Sequence, residues 1–358
     1  MIPINRALRL TLYTLLILAG TVLAATFAMR HAERAALVED AVRANQQLGL
    51  YANSLHTLIE RYRALPSVLA LDPELRSALK GPVTPQLQDA LNRKLEQING
   101  AAQSSTLELL DHTGLAVAAS NWRLPSSYVG HNYGFRPYFM QTRTQGTGRF
   151  YAVGVTSGIP GYFLSSAVTD DDGRFLGAMV VKLEFPELER EWRQGTDTLL
   201  VSDARGIVFI ANQPGWRYRL LKPLGDSDQA ELKSTRQYDK QPLSQLDYQT
   251  LHRFDDNSVL AQVQGPNGKA DYLWESLPLS AEGWTLHLLR HPQVAFEDTR
   301  NAALAAAGLW LTLVFLLLFL NQRWRLAKMR QRSREELERL VEERTRDLHT
   351  AQDGLVQS

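Results

Sequence analysis

The chain has 358 residues, enough for two or three compact units, and its 39 Lys and Arg against 38 Asp and Glu leave a formal charge of +1. A balance so near zero supplies no global field for nucleic acid. The absence of cysteine excludes disulfides, thiolate metal sites and a cysteine nucleophile, without setting the compartment.

Residues 1–9 form a short N-terminus bearing Arg6 and Arg9, and Leu10 to Met29 then carries no charge. Such a run spans about 30 Å as a helix, the thickness of the hydrocarbon core, and predicts a transmembrane helix. A cleaved signal peptide, with Ala24 to Ala28 as the cleavage region, is the competing reading. Asn301 to Gln322 is a second charge-free run, followed by Arg323, Arg325, Lys328, Arg330, Arg332 and Arg334. This cationic collar predicts a cytoplasmic C-terminus, a cytoplasmic N-terminus and a periplasmic segment between the spans, in a two-pass protein of the bacterial inner membrane. A hairpin of buried core helices is the rival, and the flanking arginines oppose it.

Residues 30–69 read as a long stalk helix. Leu37, Val38, Val42, Leu48, Tyr51, Leu55, Leu58, Ile59 and Tyr62 mark one stripe, and Pro66 ends the pattern. At about 50 Å it outruns a small domain's core. The stripe should therefore meet both outer domains and a second copy of itself, or else pack wholly within one protomer. Pro85 to Asn99 reads as another helix, with Thr84 as its cap and Pro85 at the first position.

An internal repeat follows. TLELLDHTGLAVAASN at 106–121 and TLLVSDARGIVFIAN at 198–212 are each a strand, an Asp-x-x-Gly turn and a second strand. Each later meets a closing strand, Gly177 to Phe185 in one and Gly283 to Leu289 in the other. The reading is α+β, with tandem domains over about 70–190 and 191–295, the first distal to the membrane and the second proximal.

Residues 131–182 carry the chemistry. Tyr133, Arg136, Tyr138 and Phe139 are spaced to share a helical turn. Two strand-like runs, Arg149 to Ser157 and Gly161 to Val168, bend through Thr156, Ser157, Gly158 and Gly161, which offer hydroxyls and bare amides. Asp170 to Asp172 read as a hairpin turn closed by Gly173. In the apolar run Phe175 to Phe185, alternation puts Phe175, Met179, Val181, Leu183 and Phe185 on one face and Lys182 with Ala178 and Val180 on the other. One reading makes Lys182 a strand-end lysine that reaches solvent or pairs with Glu184 or Glu189. The other sets Arg136 and Lys182 across a pocket suited to an anion at each end of a ligand.

The order Asn-Tyr-x-x-Arg-Pro-Tyr-Phe, Gly-Arg-Phe-Tyr-Ala-x-Gly-x-Thr-Ser-x-x-Pro-Gly-Tyr, then Val-Val-Lys resembles the double-Cache sensor region of four-carbon-dicarboxylate sensor histidine kinases of the DctB type. The resemblance implies two PAS-like domains, a homodimer, and a succinate, fumarate or malate pocket lined by Tyr133, Arg136, Thr156, Ser157, Gly158 and Lys182. Ser120 and Tyr151 are further candidates, with core hydroxyls an equal reading. No acid between Tyr151 and Tyr162 offers itself to a ligand ammonium, which favours a ligand without an amine.

Arg334 to Leu355 threads onto a heptad, with Arg334, Val341, Leu348 and Leu355 at one seam position and Leu337, Arg344 and Ala351 at the other. It reads as a dimeric signalling helix over 323–358, a solvated single helix being the alternative. No acid directly follows His349, whose next residue is Thr350, and no glycine-rich phosphate loop is present. ATP, magnesium and a response regulator are thus expected only of a kinase core beyond these residues; a cyclase output, a chemoreceptor output, or no output at all are the rivals. There is no Gly-x-Ser-x-Gly elbow. His287 and His291 on a strand stand about 13 Å apart, too far for a metal pair. No catalytic residue, metal ligand or nucleic-acid partner is expected in these residues.

Overall fold

The computed structural model describes residues 6–265, 268–292 and 296–356. The chain divides into two compact units, Met1–Val38 with Gln293–Ser358, and Glu39–Pro292.

In the first unit, helix α1 (Arg6–Arg63, continuing into the second unit) and the last helix, α8 (Phe296–Val356), are both long and apolar enough to cross a membrane. Their apolar side chains face outward, Leu12, Leu16, Phe315 and Leu317 among them. The two helices meet where Trp310 Nε1 donates to the Ile17 carbonyl at 3.3 Å. A Cβ on Gly20 would lie 2.3 Å from the Trp310 ring, so only glycine admits this approach. Leu337 and Val341 of the expected seam are exposed, and the side chains of Leu348, Ala351 and Leu355 lie outside the described residues.

The second unit opens on the lower part of α1. Its buried stripe is Ala44, Leu48, Ala52, Leu55, Ile59 and Tyr62, spaced three and four apart. Val38 and Val42, expected on that stripe, are half exposed instead. The helix stops at Arg63, and Pro66 sits in the first turn of a short new helix, α2 (Leu65–Ala70), where its missing amide costs nothing. Helix α3 (Pro73–Ala78) is capped by Asp72, and α4 (Pro85–Ala102) by Thr84, whose hydroxyl accepts from the Leu87 amide.

The first sheet comprises β1 (Thr106–Asp111), β2 (Ala116–Ala119), β3 (Thr147–Val153), β4 (Pro160–Thr169) and β5 (Phe175–Leu183), with helix α5 (Pro137–Gln145) between β2 and β3. Its order is β2-β1-β5-β4-β3, antiparallel throughout. After α6 (Pro186–Trp192) come β6 (Thr198–Ser202), β7 (Val208–Ala211), the short β8 (Arg219–Leu220), α7 (Asp226–Thr235), β9 (Ser244–Gln245), β10 (Tyr248–Arg253), β11 (Ser258–Gly265), β12 (Gly268–Leu279) and β13 (Trp284–Arg290). The second sheet, read from its β7 edge, runs β7-β6-β13-β12-β11 and repeats the order of the first, with β10 added at the far edge. Gly114 (φ 90°) and Gly206 (φ 79°) occupy the same turn in each copy. An α+β fold with two tandem sheets of one topology is therefore present, as the repeated hairpins indicated, and it agrees with the PAS-like architecture that the resemblance implied.

One face of each sheet packs on the helices in a shared core that includes Leu55, Leu107, Met179, Val181, Phe209 and Trp284. Arg290, at the end of β13, fastens the second sheet to α1. It bonds both carboxylate oxygens of Asp197 and lies 3.3 Å from Asp40.

Candidate ligand site

The site is on the other face of the first sheet. β1 pairs with β5 in the register Thr106↔Lys182 and Glu108↔Val180, so Glu108 and Lys182 rise from the same face of adjacent strands. A second core covers this face: Tyr128, Tyr133, Tyr138, Phe139, Phe163 and Val180. Phe175 joins it and stacks edge-on against Phe139, although simple alternation assigned it to the Met179 face. The cause is a register shift, Val168 pairing with Gly177 but Thr169 with Phe175, which turns the strand over.

Lys182 is fully buried. Its ammonium donates to Glu184 Oε1 at 2.6 Å, to the Tyr128 hydroxyl at 3.2 Å and to Ser157 Oγ at 3.5 Å. It thus has the Glu184 partner of the plainer expectation, without reaching solvent. Burial lowers its pKa, and the Glu184 charge opposes the shift. Its stem needs bare backbone beside it: a Cβ on Gly161 would stand 2.5 Å from Lys182 Cε.

β3 ends at Val153, so the run expected to continue to Ser157 becomes a tight loop. Gly158, at φ 70°, donates its amide to the Gly154 carbonyl, and Ile159 donates to Ser157 Oγ. The loop aims two hydroxyls inward. Thr156 Oγ1 meets the Tyr133 hydroxyl at 2.8 Å, and Ser157 Oγ accepts from Tyr128 at 3.2 Å. Burial pushes both tyrosine pKa values above their usual range, so both phenols stay neutral donors.

Arg136 is also buried, just ahead of α5. Its Nη2 donates to the Val153 carbonyl at 2.7 Å, and its Nη1 reaches across to Thr235 and Arg236 carbonyls at 3.0 and 3.1 Å. Those two oxygens lie at the C-terminal end of α7, where carbonyls lack helical partners and the dipole favours a cation. Arg136 and Arg236 both stand over the Phe135 ring, at 5.3 and 5.7 Å.

Glu108 went unnoticed in the sequence reading. It is fully buried, and its pKa is pushed up to about 8 by burial, against the pull of Lys182 and Arg136. Its Oε2 has no hydrogen-bond partner among the described residues. Tyr128 was missed as well, since it comes from a segment with no periodic pattern. Glu108, by contrast, stood in view as an acid inside an apolar strand, the same signal that drew attention to Lys182.

Ser120 and Tyr151 are placed away from this group. Ser120 Oγ accepts from the Leu107 amide and extends the β1–β2 ladder. Tyr151 takes the opposite face by alternation, packs its ring 4.0 Å from Phe209, and donates to the Phe209 carbonyl. A cleft of about 780 Å³ lies on that side, lined by Arg63, Arg149, Arg205 and Glu282 among others. Its charges are already paired: Glu282 with Arg63 and Tyr162, Arg205 with Asp228 and Glu231.

The second sheet supplies an internal control. By the register Leu289↔Thr198, Leu289 takes the place of Lys182 and Leu200 that of Glu108. This face is filled by Leu200, Trp216, Val263, Trp274 and Leu289. Its polar member, His287, is held between Ser202 and Ser276 hydroxyls at 2.9 Å, and burial lowers its pKa to about 3. A buried neutral imidazole with both nitrogens bonded is a core residue.

The lysine, the loop hydroxyls and the arginine on one sheet face invite comparison with known sensors. A scan against protein-family models matches none. The chain is 37% identical over 314 residues to the C4-dicarboxylate transport sensor protein DctB of Rhizobium meliloti, covering 86% of this chain and 50% of that protein. It is 31% identical to DctB of Pseudomonas aeruginosa, over 87% of this chain and 48% of that one. This chain is a homologue of the DctB sensors. Among solved structures, the V. cholerae histidine kinase DctB sensor domain superposes with a TM-score of 0.64 at 27% identity, over 73% of this chain and 98% of that domain. The periplasmic domain of RsbU from Chlamydia trachomatis shares the fold, with a TM-score of 0.53 at 15% identity. The chain spans about half the length of the two DctB proteins it matches.

Proposed function

We propose that this chain is the input half of a two-component sensor histidine kinase that detects four-carbon dicarboxylates, such as succinate, fumarate or malate, in the periplasm. The observation that carries the reading is the buried Lys182 ammonium beside the Tyr133–Thr156 and Tyr128–Ser157 hydroxyl pairs, on a sheet face whose twin in the second module is apolar. A cation with oriented hydroxyl donors suits a carboxylate held away from water. Arg136, freed from the α7 carbonyls, would take the other end of the diacid. A ligand that exchanges for those carbonyls would alter how the two modules hold together, and so bias the helices that leave them.

The arginine collar supports a two-pass arrangement in the inner membrane with both termini in the cytoplasm. The half-exposed Val38 and Val42 and the apolar positions Leu337 and Val341 support a homodimer through its helices. A response regulator, ATP and magnesium belong to a kinase core that these residues do not include. The full chain in lipid nanodiscs, titrated calorimetrically, should bind succinate, fumarate or malate and not acetate. If no diacid binds, or if Lys182→Met binds as well as the parent, the reading fails.

A further inference from the structure

Glu108 lies against the site. It projects from β1 on the Lys182 face and is fully buried, with its Oε2 unbonded among the described residues. A buried polar atom without a partner is costly, and one beside a binding cluster marks where a ligand atom completes the pairing. The groups close enough to act on it electrostatically are Lys182 on β5, Arg136 ahead of α5, Tyr138 on α5, and Tyr128 and Tyr133 from the segment between β2 and α5. Glu184 adds a further negative charge on Lys182.

Charge counting decides the state of this acid. Arg136 and Lys182 bring two positive charges and Glu184 one negative. A dianion added to them leaves a net single negative charge if Glu108 is neutral, and a double one if it is ionised. Like charges in a dry site repel strongly, and a carboxylate can approach another carboxylate only through a shared proton. We propose that Glu108 is a specificity-determining residue: in the complex its carboxyl is neutral and donates a hydrogen bond to a ligand carboxylate, so that a dianion enters together with one proton. The proton comes from water when Glu108 is ionised beforehand, and it returns to water when the ligand leaves. The proposal rests on the dicarboxylate reading above. It also distinguishes this site from one for an amino diacid, which would need Glu108 ionised to meet an ammonium.

The test is calorimetric titration of the full chain in nanodiscs with succinate and with L-aspartate, for the parent and Glu108→Gln, from about pH 7 to about pH 9.5 in buffers of different ionisation enthalpy. With the free carboxyl titrating near pH 8, the parent should lose affinity by up to about tenfold per pH unit above that point relative to Glu108→Gln. It should also take up close to one proton per succinate at the upper end, an uptake the glutamine variant lacks. Lys182 titrates in both proteins, so the difference between them isolates Glu108. Equal pH dependence in the two, no proton uptake by the parent at high pH, or tighter binding of L-aspartate that Glu108→Gln loses would each overturn this inference while leaving the site in place. Failure of any diacid to bind the parent at any pH would overturn both.

Discussion

The guanidinium of Arg136 donates to the carbonyl oxygen of Thr235 at 3.0 Å, joining the first module to the last turn of α7 in the second. It also bonds the Arg236 and Val153 carbonyls. The residue expected to hold a ligand is therefore also one of those that bind the modules together, and its substitution has two readouts. Arg136→Ala removes the guanidinium donor from the buried Val153 and Thr235 carbonyls and should destabilise the ligand-free protein by about 2–4 kcal/mol in urea unfolding. Arg136→Lys keeps the charge but not the fork, and should fall between alanine and the parent.

Lys182 should behave differently. Its carboxylate partner, Glu184, is 23% exposed and can be rehydrated when the ammonium is removed. Lys182→Met should therefore unfold within about 1 kcal/mol of the parent, since an apolar isostere relieves a buried charge. The same variant should lose at least about a hundredfold in affinity for a diacid, because the charged anchor is gone.

Glu184→Gln reverses that pattern. The ammonium keeps Tyr128 and Ser157 but loses its anion. The ligand-free protein should melt earlier, and succinate should bind roughly tenfold more tightly, having no resident carboxylate to displace. Paired thermal melts and calorimetry check both halves.

His287 sets an acid limit on stability. Its folded pKa is lowered by burial from 6.5 to about 3, so the neutral form is the one the fold favours. That contribution is fully present above about pH 6.5 and is lost as the pH falls towards about 3, at about 1.4 kcal/mol per pH unit. His287→Gln, which keeps hydrogen-bonding capacity between Ser202 and Ser276, should flatten the slope in that window when unfolding free energy is measured against pH.

Glu108 has the opposite sign. Its folded pKa is raised by burial from 4.5 to about 8, so its contribution is fully present below about pH 4.5 and is lost as the pH rises towards 8. Glu108→Gln should therefore be more stable than the parent at pH 8, with the two converging in acid. Urea midpoints across that range provide the check.

Much of this architecture could be read from residue patterns, and the exceptions share a cause. The duplicated hairpins were visible because each combines period-two apolar strands with a glycine at a left-handed turn, Gly114 and Gly206. Lys182 and Arg136 stood out as cations among apolar neighbours. Glu184 was within reach as a partner two residues from Lys182, whereas Tyr128 arrives from an aperiodic segment and Thr235 lies about a hundred residues from Arg136. Phe175 was assigned to the wrong face because a bulge is a relation between two strands, not a property of one. Tyr151 was weighed as a pocket residue from its neighbours in sequence, whereas strand alternation sends it to the far side.

The second module invites one last reading. With Leu200 and Leu289 standing where its twin keeps an acid and a base, it offers a dianion no countercharge to settle against. If recognition belongs to the first module, the second is free to be tuned for stiffness alone, gripping α1 through Arg290. On the function proposed above, duplication would divide the labour: one half listens, and the other serves as the lever.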